Sequence, residues 1–293
     1  MKRLIKRIYA SVPFKLQIMT LVKKIFHPGE SVYKHLYFKG DITIPIDKSN
    51  SFRIRHYGYQ VENDIFWAGL ENGWERVSIS LWMKLVKNSD VIIDVGANTG
   101  IYSLIAKTLN PPARVYAFEP IARIYEKLIS NCRLNDYEIE CFDAALSNTD
   151  GEAIVYDTPT EHVYSVTVNK NLNDAGVEVV PTTIKVARLD TFIRQHNVDK
   201  IDLIKLDVET HEAEVLEGMG EFLKKFKPTF LIEILNDEVG QRVQALIEGL
   251  DYLYFNLDEA SGSIRKVEKI LKSDYYNYLI CRPEIAEKLR LMK

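Results

Sequence analysis

The clearest pattern along the chain is a short apolar run that ends in a glycine-punctuated turn. Residues 91–95 read Val-Ile-Ile-Asp-Val, which predicts a strand buried on both faces of a sheet. Apolar residues then recur at helical spacing over 101–109. Gly96 and Gly100 allow the backbone between them to bend sharply and allow a ligand to come close. The pattern therefore predicts a strand, a tight turn and a helix whose N-terminus borders a ligand site.

Apolar runs of strand length recur along the rest of the chain and alternate with stretches of helical periodicity. Such alternation predicts an α/β fold with a doubly wound, mostly parallel sheet. We expect the last strand to be antiparallel. The seven predicted strands cover residues 91–95, 114–118, 138–142, 201–209, 228–235, 251–257 and 276–281.

Residues 1–70 precede this alternation and form a predicted N-terminal extension of helices and a hairpin. Alternating apolar residues on both sides of the turn at 47–50 predict a β-hairpin over 41–59. The main domain then covers 71–293. It carries a β-rich insertion at about 150–186, and such surface insertions often determine which substrate an enzyme accepts.

The first 26 residues are basic and amphipathic. They contain seven Lys or Arg residues, and no acidic residue appears before Glu30. The apolar residues between them, from Phe14 to Phe26, have helical spacing, but the runs are too short for a signal peptide. Two interpretations stay open: a helix on an anionic membrane surface, or a helix packed on the main domain.

Composition narrows the class of protein. The chain has 293 residues, 46% of them hydrophobic and 27% charged, which is ordinary for a globular protein. A net charge of -3 argues against a nucleic-acid partner. The three cysteines lack metal-binding spacing, and no stretch is long enough to span a membrane. We expect a cytoplasmic protein, peripheral at the inner face of the membrane if its basic N-terminus binds lipid.

The turn and its acidic neighbours favour one class of nucleotide site. The NAD fingerprint is absent, because Gly96 and Gly100 are four residues apart and Asn98 holds the middle position. Asp94 precedes the turn, and Glu119 ends the next strand, where a carboxylate can bind both hydroxyls of an adenosine ribose. This arrangement is typical of S-adenosylmethionine (SAM) sites, and a structural turn in another α/β protein is the alternative.

Four further residues are candidate cofactor contacts. Pro120 follows Glu119 directly. Asp143 ends the third strand, where a carboxylate suits the adenine amino group, and Ala144 follows it. Glu75 starts the helix before the central strand and is a candidate for the SAM ammonium group. Each acid also has an ordinary interpretation: Asp143 as a surface acid at a strand end, and Glu75 as an acid in the first turn of a helix.

Candidate catalytic residues cluster after the fourth strand. Asp207 and Glu209 share a face if the strand continues through them, and His211 follows at a helix start. Glu233 lies on the fifth strand, which is expected next door. We predict His211 as the general base, with Asp207 and Glu209 assisting, or a divalent cation held by Asp207, Glu209 and Glu233. Helix capping is the alternative for Glu209 and His211.

Taken together, these segments resemble the FkbM family of SAM-dependent O-methyltransferases. The motifs occur in family order over residues 70–281, and Thr210 stands where the family usually has glycine. They are Asp94 to Gly100, Phe118-Glu119-Pro120, Ala145-Leu146-Ser147, Leu189-Asp190-Thr191, and Ile204 to Glu209 with His211-Glu212. The resemblance implies a Rossmann-like class I methyltransferase fold and SAM as cofactor.

The resemblance also implies methyl transfer to a hydroxyl, and we expect a sugar of a glycan or glycolipid as the acceptor. Two other classes stay open on the same fold. One is a nicotinamide-dependent sugar oxidoreductase, which should show the absent fingerprint. The other is a non-catalytic SAM-binding partner of a membrane glycan-assembly complex. The sequence leaves the oligomeric state open.

Overall fold

The structure is a computed structural model that describes residues 12–157 and 180–292. Its strands are β1 (Gly40–Pro45), β2 (Ser51–His56), β3 (Val91–Val95), β4 (Arg114–Phe118), β5 (Glu140–Phe142), β6 (Ala145–Ser147), β7 (Gly151–Asp157), β8 (Val180–Arg188), β9 (Leu203–Leu206), β10 (Thr229–Glu233), β11 (Leu253–Leu257), β12 (Ile264–Val267) and β13 (Asn277–Cys281). Its helices are α1 (Lys15–Ile25), α2 (Glu30–Tyr33), α3 (Gln60–Ala68), α4 (Arg76–Leu85), α5 (Ile101–Leu109), α6 (Ala122–Leu134), α7 (Leu189–Gln195), α8 (Glu212–Gly218), α9 (Glu221–Phe226), α10 (Asp237–Ile247) and α11 (Pro283–Lys288).

The centre of the fold is an eight-stranded sheet in the order β12-β11-β13-β10-β9-β3-β4-β5. Strand β3 pairs in parallel with both β4 and β9, and β10 pairs in parallel with β9. Strand β13 runs antiparallel between β10 and β11. The predicted doubly wound, mostly parallel sheet with its antiparallel last strand is confirmed. The sheet has one strand more than predicted, because β12 extends its edge.

Strand β12 escaped prediction because its sequence lacks the apolar run of the central strands. It reads Ile-Arg-Lys-Val, and both of its charged side chains are exposed. It pairs with β11 as an edge hairpin. Exposed cations on an edge strand discourage pairing with other chains, so polar composition is expected at this position.

The core lies on both faces of β3, as the apolar run predicted. All five residues of β3 are buried. On one face, α4 and α5 pack together through Trp82, which is fully buried and donates its indole N–H to the carbonyl of Tyr102 at 2.9 Å. Burying a large apolar side chain of this kind stabilises the fold by roughly 1.5–3 kcal/mol. The opposite face is covered by α7, α8 and α10 through a second cluster of buried residues.

The predicted hairpin is present as β1 and β2, closed by the Asp47 turn. Its apolar face joins the same core cluster as α4 and α5. The backbone N–H groups of Arg53 and Arg55 donate to the side-chain oxygens of Asn135 and Asn131 on α6, at 2.7 and 2.9 Å. Residues 40–56 are therefore bound to the main domain. No helix in the described ranges is long and apolar enough to cross a membrane.

The predicted insertion contributes a separate three-stranded sheet in the order β6-β8-β7. Within the range predicted to be β-rich, the structure has strand β7 and the first part of β8. Residues 158–179 of that range lie outside the described residues. Strand β6 leads directly from β5, so this small sheet borders the carboxyl ends of the central strands.

Candidate functional site

A cavity of about 320 Å³ opens at the carboxyl ends of β3, β4, β9 and β10. This is the edge at which doubly wound sheets bind their ligands. The volume lies within the range of small-molecule sites. The predicted cofactor, catalytic and metal residues that line it are Glu75, Gly96, Asn98, Glu119, Pro120, Asp207, Glu209, His211 and Glu233. Asp94, Gly100, Asp143 and Ala144 lie outside its wall.

The turn after β3 brings two strand ends into contact. The N–H groups of Gly96 and Ala97 donate to the carbonyl of Phe118 at 3.0 and 2.9 Å. Gly96 has φ 76°, and a Cβ placed there would lie 1.9 Å from the Asp207 backbone oxygen. Glycine is therefore required at Gly96, because it lets the turn pass directly over the end of β9.

Gly100 and Asp94 support the turn from behind the cavity, and neither residue lines its wall. A Cβ on Gly100 would come within 2.6 Å of Leu128 on α6. The buried carboxylate of Asp94 accepts hydrogen bonds from the backbone and the hydroxyl of Ser103, at 3.0 and 2.6 Å. It thereby ties α5 to β3. Burial raises the pKa of Asp94 to about 6, and the bonds from Ser103 oppose that rise.

Glu119 lies at the end of β4, where the sequence predicted a ribose-binding carboxylate. Its side chain is buried, and its two oxygens accept from the N–H groups of Asn98 at 3.0 Å and Ile121 at 2.9 Å. Burial raises the pKa of Glu119 to about 7, against the opposing effect of these N–H groups. Each oxygen keeps a lone pair for a ligand, so the carboxylate is held ready for two hydroxyl donors.

The adenine-binding residues predicted at Asp143 and Ala144 are displaced from the cavity. The side chain of Asp143 is exposed and forms an ion pair with Lys185 of β8 at 2.7 Å. The cavity wall is formed instead by Ala145 and Leu146, the next residues along β6. Strand β5 ends before Asp143, and the side chain of this acid lies at the surface beside Lys185 of the small sheet.

Three carboxylates meet at the other end of the cavity. Glu75, Asp207 and Glu233 each place an oxygen within 4.8 Å of the others. The predicted cation ligands were Asp207, Glu209 and Glu233. In the structure, the third carboxylate beside Asp207 and Glu233 belongs to Glu75 and not to Glu209. Glu75 comes from the segment before α4, and the other two come from β9 and β10. Tertiary packing alone brings these distant segments together.

Glu75 is held in place by its backbone and by two side chains. Its φ of 47° turns the chain into α4. At the start of that helix, the N–H groups of Val77 and Ser78 donate to the carboxylate of Glu259, at 2.6 and 3.1 Å. The Glu75 carboxylate accepts from the hydroxyl of Tyr102 and from Asn277, the latter at 3.2 Å. Burial raises the pKa of Glu75, and the charge of Asp207 adds to that rise.

Lys205 is the main site residue that the sequence analysis missed. Its side chain is 2% exposed, and its Nζ lies 3.0 Å from Asp207 and 4.9 Å from the centre of the Tyr102 ring. Burial lowers the pKa of a lysine, but Asp207, Glu75 and Glu233 outweigh that effect and raise it. Strand alternation could have found it, since Lys205 and Asp207 are two residues apart and share a face.

The pKa of Glu233 is also raised within the cluster. Burial and the neighbouring charge of Asp207 raise its pKa to about 9, although Lys205 opposes the shift. This shift favours the neutral form of Glu233. Glu233 pairs across the sheet with Asn277 of β13, which also bonds Glu75. The buried cation of Lys205 partly compensates the negative charge of the cluster.

Glu209 lies on a strained turn between β9 and α8. Glu209 and Thr210 have φ values of 54° and 81°, in the left-handed region that favours glycine. The buried carboxylate of Glu212 accepts from the N–H groups of Val208 and Thr210 at 3.2 and 3.3 Å and holds the turn. Burial and the charge of Asp207 raise the pKa of Glu209 to about 7. Its carboxylate has no hydrogen bond to another described residue.

His211 lines the cavity at the start of α8, as predicted, but both ring nitrogens have partners. Its Nε2 lies 3.0 Å from the hydroxyl of Ser147, and its Nδ1 lies 3.6 Å from the carboxylate of Glu214. Burial lowers the pKa of His211, while Glu214 opposes that shift. The ring is therefore neutral near pH 7 and is oriented toward β6.

Comparison with known proteins places this cavity in a family. The family model of the FkbM methyltransferase domain matches residues 94–277, which include the turn, Glu119 and the carboxylate cluster. The chain belongs to the FkbM methyltransferase family. The matched range starts at Asp94 and ends at Asn277, so it leaves out Glu75 and the N-terminal segments.

The individual relatives differ widely in length and in the activity for which they are named. The chain is 28% identical over 210 residues to the hexuronic acid methyltransferase AglP of Haloferax volcanii, covering 70% of this chain and 80% of AglP. It is 30% identical over 154 residues to the 2-O-methyltransferase NoeI of Sinorhizobium fredii, covering 48% and 62%. It is also 27% identical over 233 residues to the AMB antimetabolite synthetase AmbE of Pseudomonas aeruginosa, with 68% of this chain but 11% of AmbE covered.

Proposed function

We propose that this FkbM-family protein transfers a methyl group from SAM to a hydroxyl of a sugar acceptor. The observation that carries the proposal is one continuous cavity. The glycine turn after β3 and Glu119 form one end, and titratable carboxylates form the other. The relatives AglP and NoeI, named for a hexuronic acid and for 2-O-methylation, support an oxygen of a sugar-type acceptor.

The residues present fit SAM at three points. Glu119 offers two fixed acceptor oxygens for the ribose hydroxyls. Apolar residues that include Ile121 and Leu146 line the adjoining wall and suit the adenine face. Gly96 leaves backbone space near Asp207, and the acids there complement a cationic ligand end. SAM, when bound, supplies an activated methyl group on a sulfonium leaving group.

The charge of the cavity favours an acceptor that carries no carboxylate. Glu75, Asp207, Glu209 and Glu233 line the acceptor end, and Lys205 is the cation among them. Bringing another carboxylate into this region would add repulsion at low dielectric constant. We therefore expect a neutral or amino-bearing sugar to be preferred over a hexuronic acid, in contrast to the named substrate of AglP.

The acceptor hydroxyl must lose a proton as its oxygen attacks, and we propose Glu209 as the group that accepts it. Its carboxylate faces the cavity on a strained turn and has a pKa of about 7, which suits a base at neutral pH. His211 remains the second candidate, because its imidazole is neutral but engaged by Ser147 and Glu214. Asp207 has a positioning role through its ion pair with Lys205.

The two candidate bases differ in their expected pH profiles. If Glu209 is the base, turnover rises as pH increases through about 7, because the carboxylate must be ionised. Glu209→Gln should then lower turnover by about two to four orders of magnitude and remove that rise. If His211 is the base, turnover rises at a pH below the usual histidine pKa, because burial lowers the pKa of His211. His211→Asn should then have the larger effect.

A divalent cation, if the enzyme uses one, would be held by Glu75, Asp207 and Glu233. Oxygen ligands suit magnesium or calcium, but Lys205 already places an ammonium 3.0 Å from Asp207. Activity should therefore survive chelation. Loss of activity with a chelator, restored by added magnesium, would assign the three acids to metal binding instead.

The deciding experiment measures transfer of labelled methyl from SAM to a panel of sugars, with titration of S-adenosylhomocysteine and NAD beside it. Binding of S-adenosylhomocysteine, no binding of NAD and a base-stable methyl ether on a sugar would support the proposal. Binding of NAD in its place would favour the sugar oxidoreductase. Binding of S-adenosylhomocysteine without turnover on any acceptor would favour the non-catalytic SAM-binding partner.

A further inference from the structure

Helix α1 has two apolar faces. Its inner face packs on the domain through Met19, which is 7% exposed, with Leu16 and Val22 beside it. Lys23 donates its Nζ to the carbonyl of Phe66 on α3 and lies 4.7 Å from the centre of that aromatic ring. The packing interpretation of this helix is therefore correct for one face. These contacts also fix the direction in which the other face points.

The second face forms an exposed apolar stripe. Phe14, Ile18, Leu21 and Ile25 follow one another at intervals of four, three and four residues, which places them on one side of a helix. Their exposures are 74%, 39%, 60% and 79%, and Phe26 at the helix end is 57% exposed. We call these five residues the outer stripe. Large apolar side chains exposed elsewhere in the described ranges are more scattered along the chain.

Basic residues border the outer stripe. On a helix of 3.6 residues per turn, Lys15 and Lys24 fall on opposite sides of the line from Phe14 to Ile25. The sequence from residue 12 to residue 29 contains no acid. The preceding segment, outside the described residues, adds Lys2, Arg3, Lys6 and Arg7 to the charge of the chain. The face thus combines apolar side chains with basic residues, on a helix whose own sequence contains no acid.

We propose that the outer stripe is a docking surface for an anionic lipid bilayer, with α1 lying in the plane of the membrane. A helix with large apolar residues on one side and lysines at its borders suits the boundary between lipid headgroups and acyl chains. The lysine stems extend toward the headgroups while the apolar residues insert. A bilayer is favoured over a protein partner because both borders of the stripe are basic and the helix sequence contains no acid, which matches an anionic lipid surface.

The surface is connected to the candidate active site through one helix. Lys23 of α1 contacts Phe66 of α3, and Val61 of the same helix lines the cavity. Along a helix these two α3 residues are about 7–8 Å apart. Docking would therefore hold the cavity near the lipid surface. The proposal rests on α1 alone and does not depend on the chemistry of the cavity.

The first test compares sedimentation of the full chain with vesicles of phosphatidylcholine alone and with vesicles of equal parts phosphatidylcholine and phosphatidylserine. We expect binding to the anionic vesicles. Leu21→Gln combined with Ile25→Gln should weaken it by about tenfold or more, because two exposed apolar side chains no longer insert. Ile154→Gln is the matched control, since Ile154 is 57% exposed on β7 and lies outside the stripe. It should bind as the wild type does.

The second test isolates the charge. Lys24→Glu should weaken binding to the anionic vesicles by about fivefold or more, whereas Lys269→Glu, an exposed lysine far along the chain, should have no such effect. Raising the salt concentration should weaken the binding of the wild type, because exposed charges are screened. Thermal midpoints and S-adenosylhomocysteine affinity should be unchanged in all four variants, which separates this proposal from the proposed methyl transfer.

Three results would overturn the proposal. The first is failure of the wild-type chain to sediment with anionic vesicles. The second is equal binding by the stripe variant and the Ile154 control. The third is self-association of the chain without vesicles that is lost in the stripe variant, which would assign the outer stripe to an interface between two copies.

Discussion

Replacing Gly96 by alanine tests the close approach on which the cofactor turn depends. The added Cβ would lie 1.9 Å from the backbone oxygen of Asp207 and 3.0 Å from its carbonyl carbon. Both atoms belong to the backbone at the end of β9, so a side-chain rotation cannot relieve the contact. Either the turn or the strand end must shift, and both border the cavity.

The magnitude has two parts. A left-handed backbone costs an alanine roughly 1–2 kcal/mol relative to a glycine. Overpacking against a fixed backbone adds about 1–3 kcal/mol. The matched control is Gly249→Ala, because Gly249 has φ 75° and a Cβ there would meet nothing within 4 Å. Gly96→Ala should therefore lower the free energy of unfolding by about 1–3 kcal/mol more than Gly249→Ala.

The assay is thermal unfolding of both variants beside the wild type, followed by titration with S-adenosylhomocysteine. The expected difference in midpoint between the two variants is roughly 2–12 °C for a domain of this size. Affinity for S-adenosylhomocysteine should fall in Gly96→Ala and remain unchanged in Gly249→Ala. If the two variants unfold at the same temperature and bind equally well, the turn has room that the structure does not show, and the reasoning is refuted.

Thr210→Gly should raise the free energy of unfolding by about 1 kcal/mol, because glycine tolerates a φ of 81° and threonine does not. Urea denaturation measures the change, and a loss of stability would contradict the strain at this turn. Glu119→Ala should weaken S-adenosylhomocysteine binding by about 1.5–3 kcal/mol for each lost hydrogen bond in calorimetry, with exposed Glu126→Ala as the unaffected control. Lys205→Met should destabilise the fold by about 3–5 kcal/mol, and increasingly so as pH rises, because its carboxylate partners then ionise without a cation; a destabilisation independent of pH would contradict this account.

Local patterns predicted the elements of the central sheet closely. The apolar run of β3, the glycine turn and the helical period of α5 involve neighbouring residues, so their physics is contained in the sequence. The helix predicted at 101–109 has those bounds in the structure. The position of Glu119 was also predictable, because an acid that directly follows β4 must lie beside the turn after the neighbouring strand β3.

Edge strands and insertions were less predictable, because their residues are partly exposed and lack the continuous apolar run of a central strand. Strand β12 forms only beside β11, and its charged sequence has no strand signal of its own. Asp143 was placed at the adenine by analogy with a strand end. Its side chain lies at the surface and pairs there with Lys185 of β8.

The sequence by itself determined the doubly wound sheet, the glycine turn after β3 and the position of Glu119 beside that turn, because short-range periodicity and turn chemistry specify them. The tertiary structure alone decided which charges share the cavity. Glu75, Lys205 and Glu233 are separated by up to 158 residues, and three different segments bring them to one point. Their pKa shifts arise from mutual distance and burial, and neither quantity exists until the strands and α4 have packed.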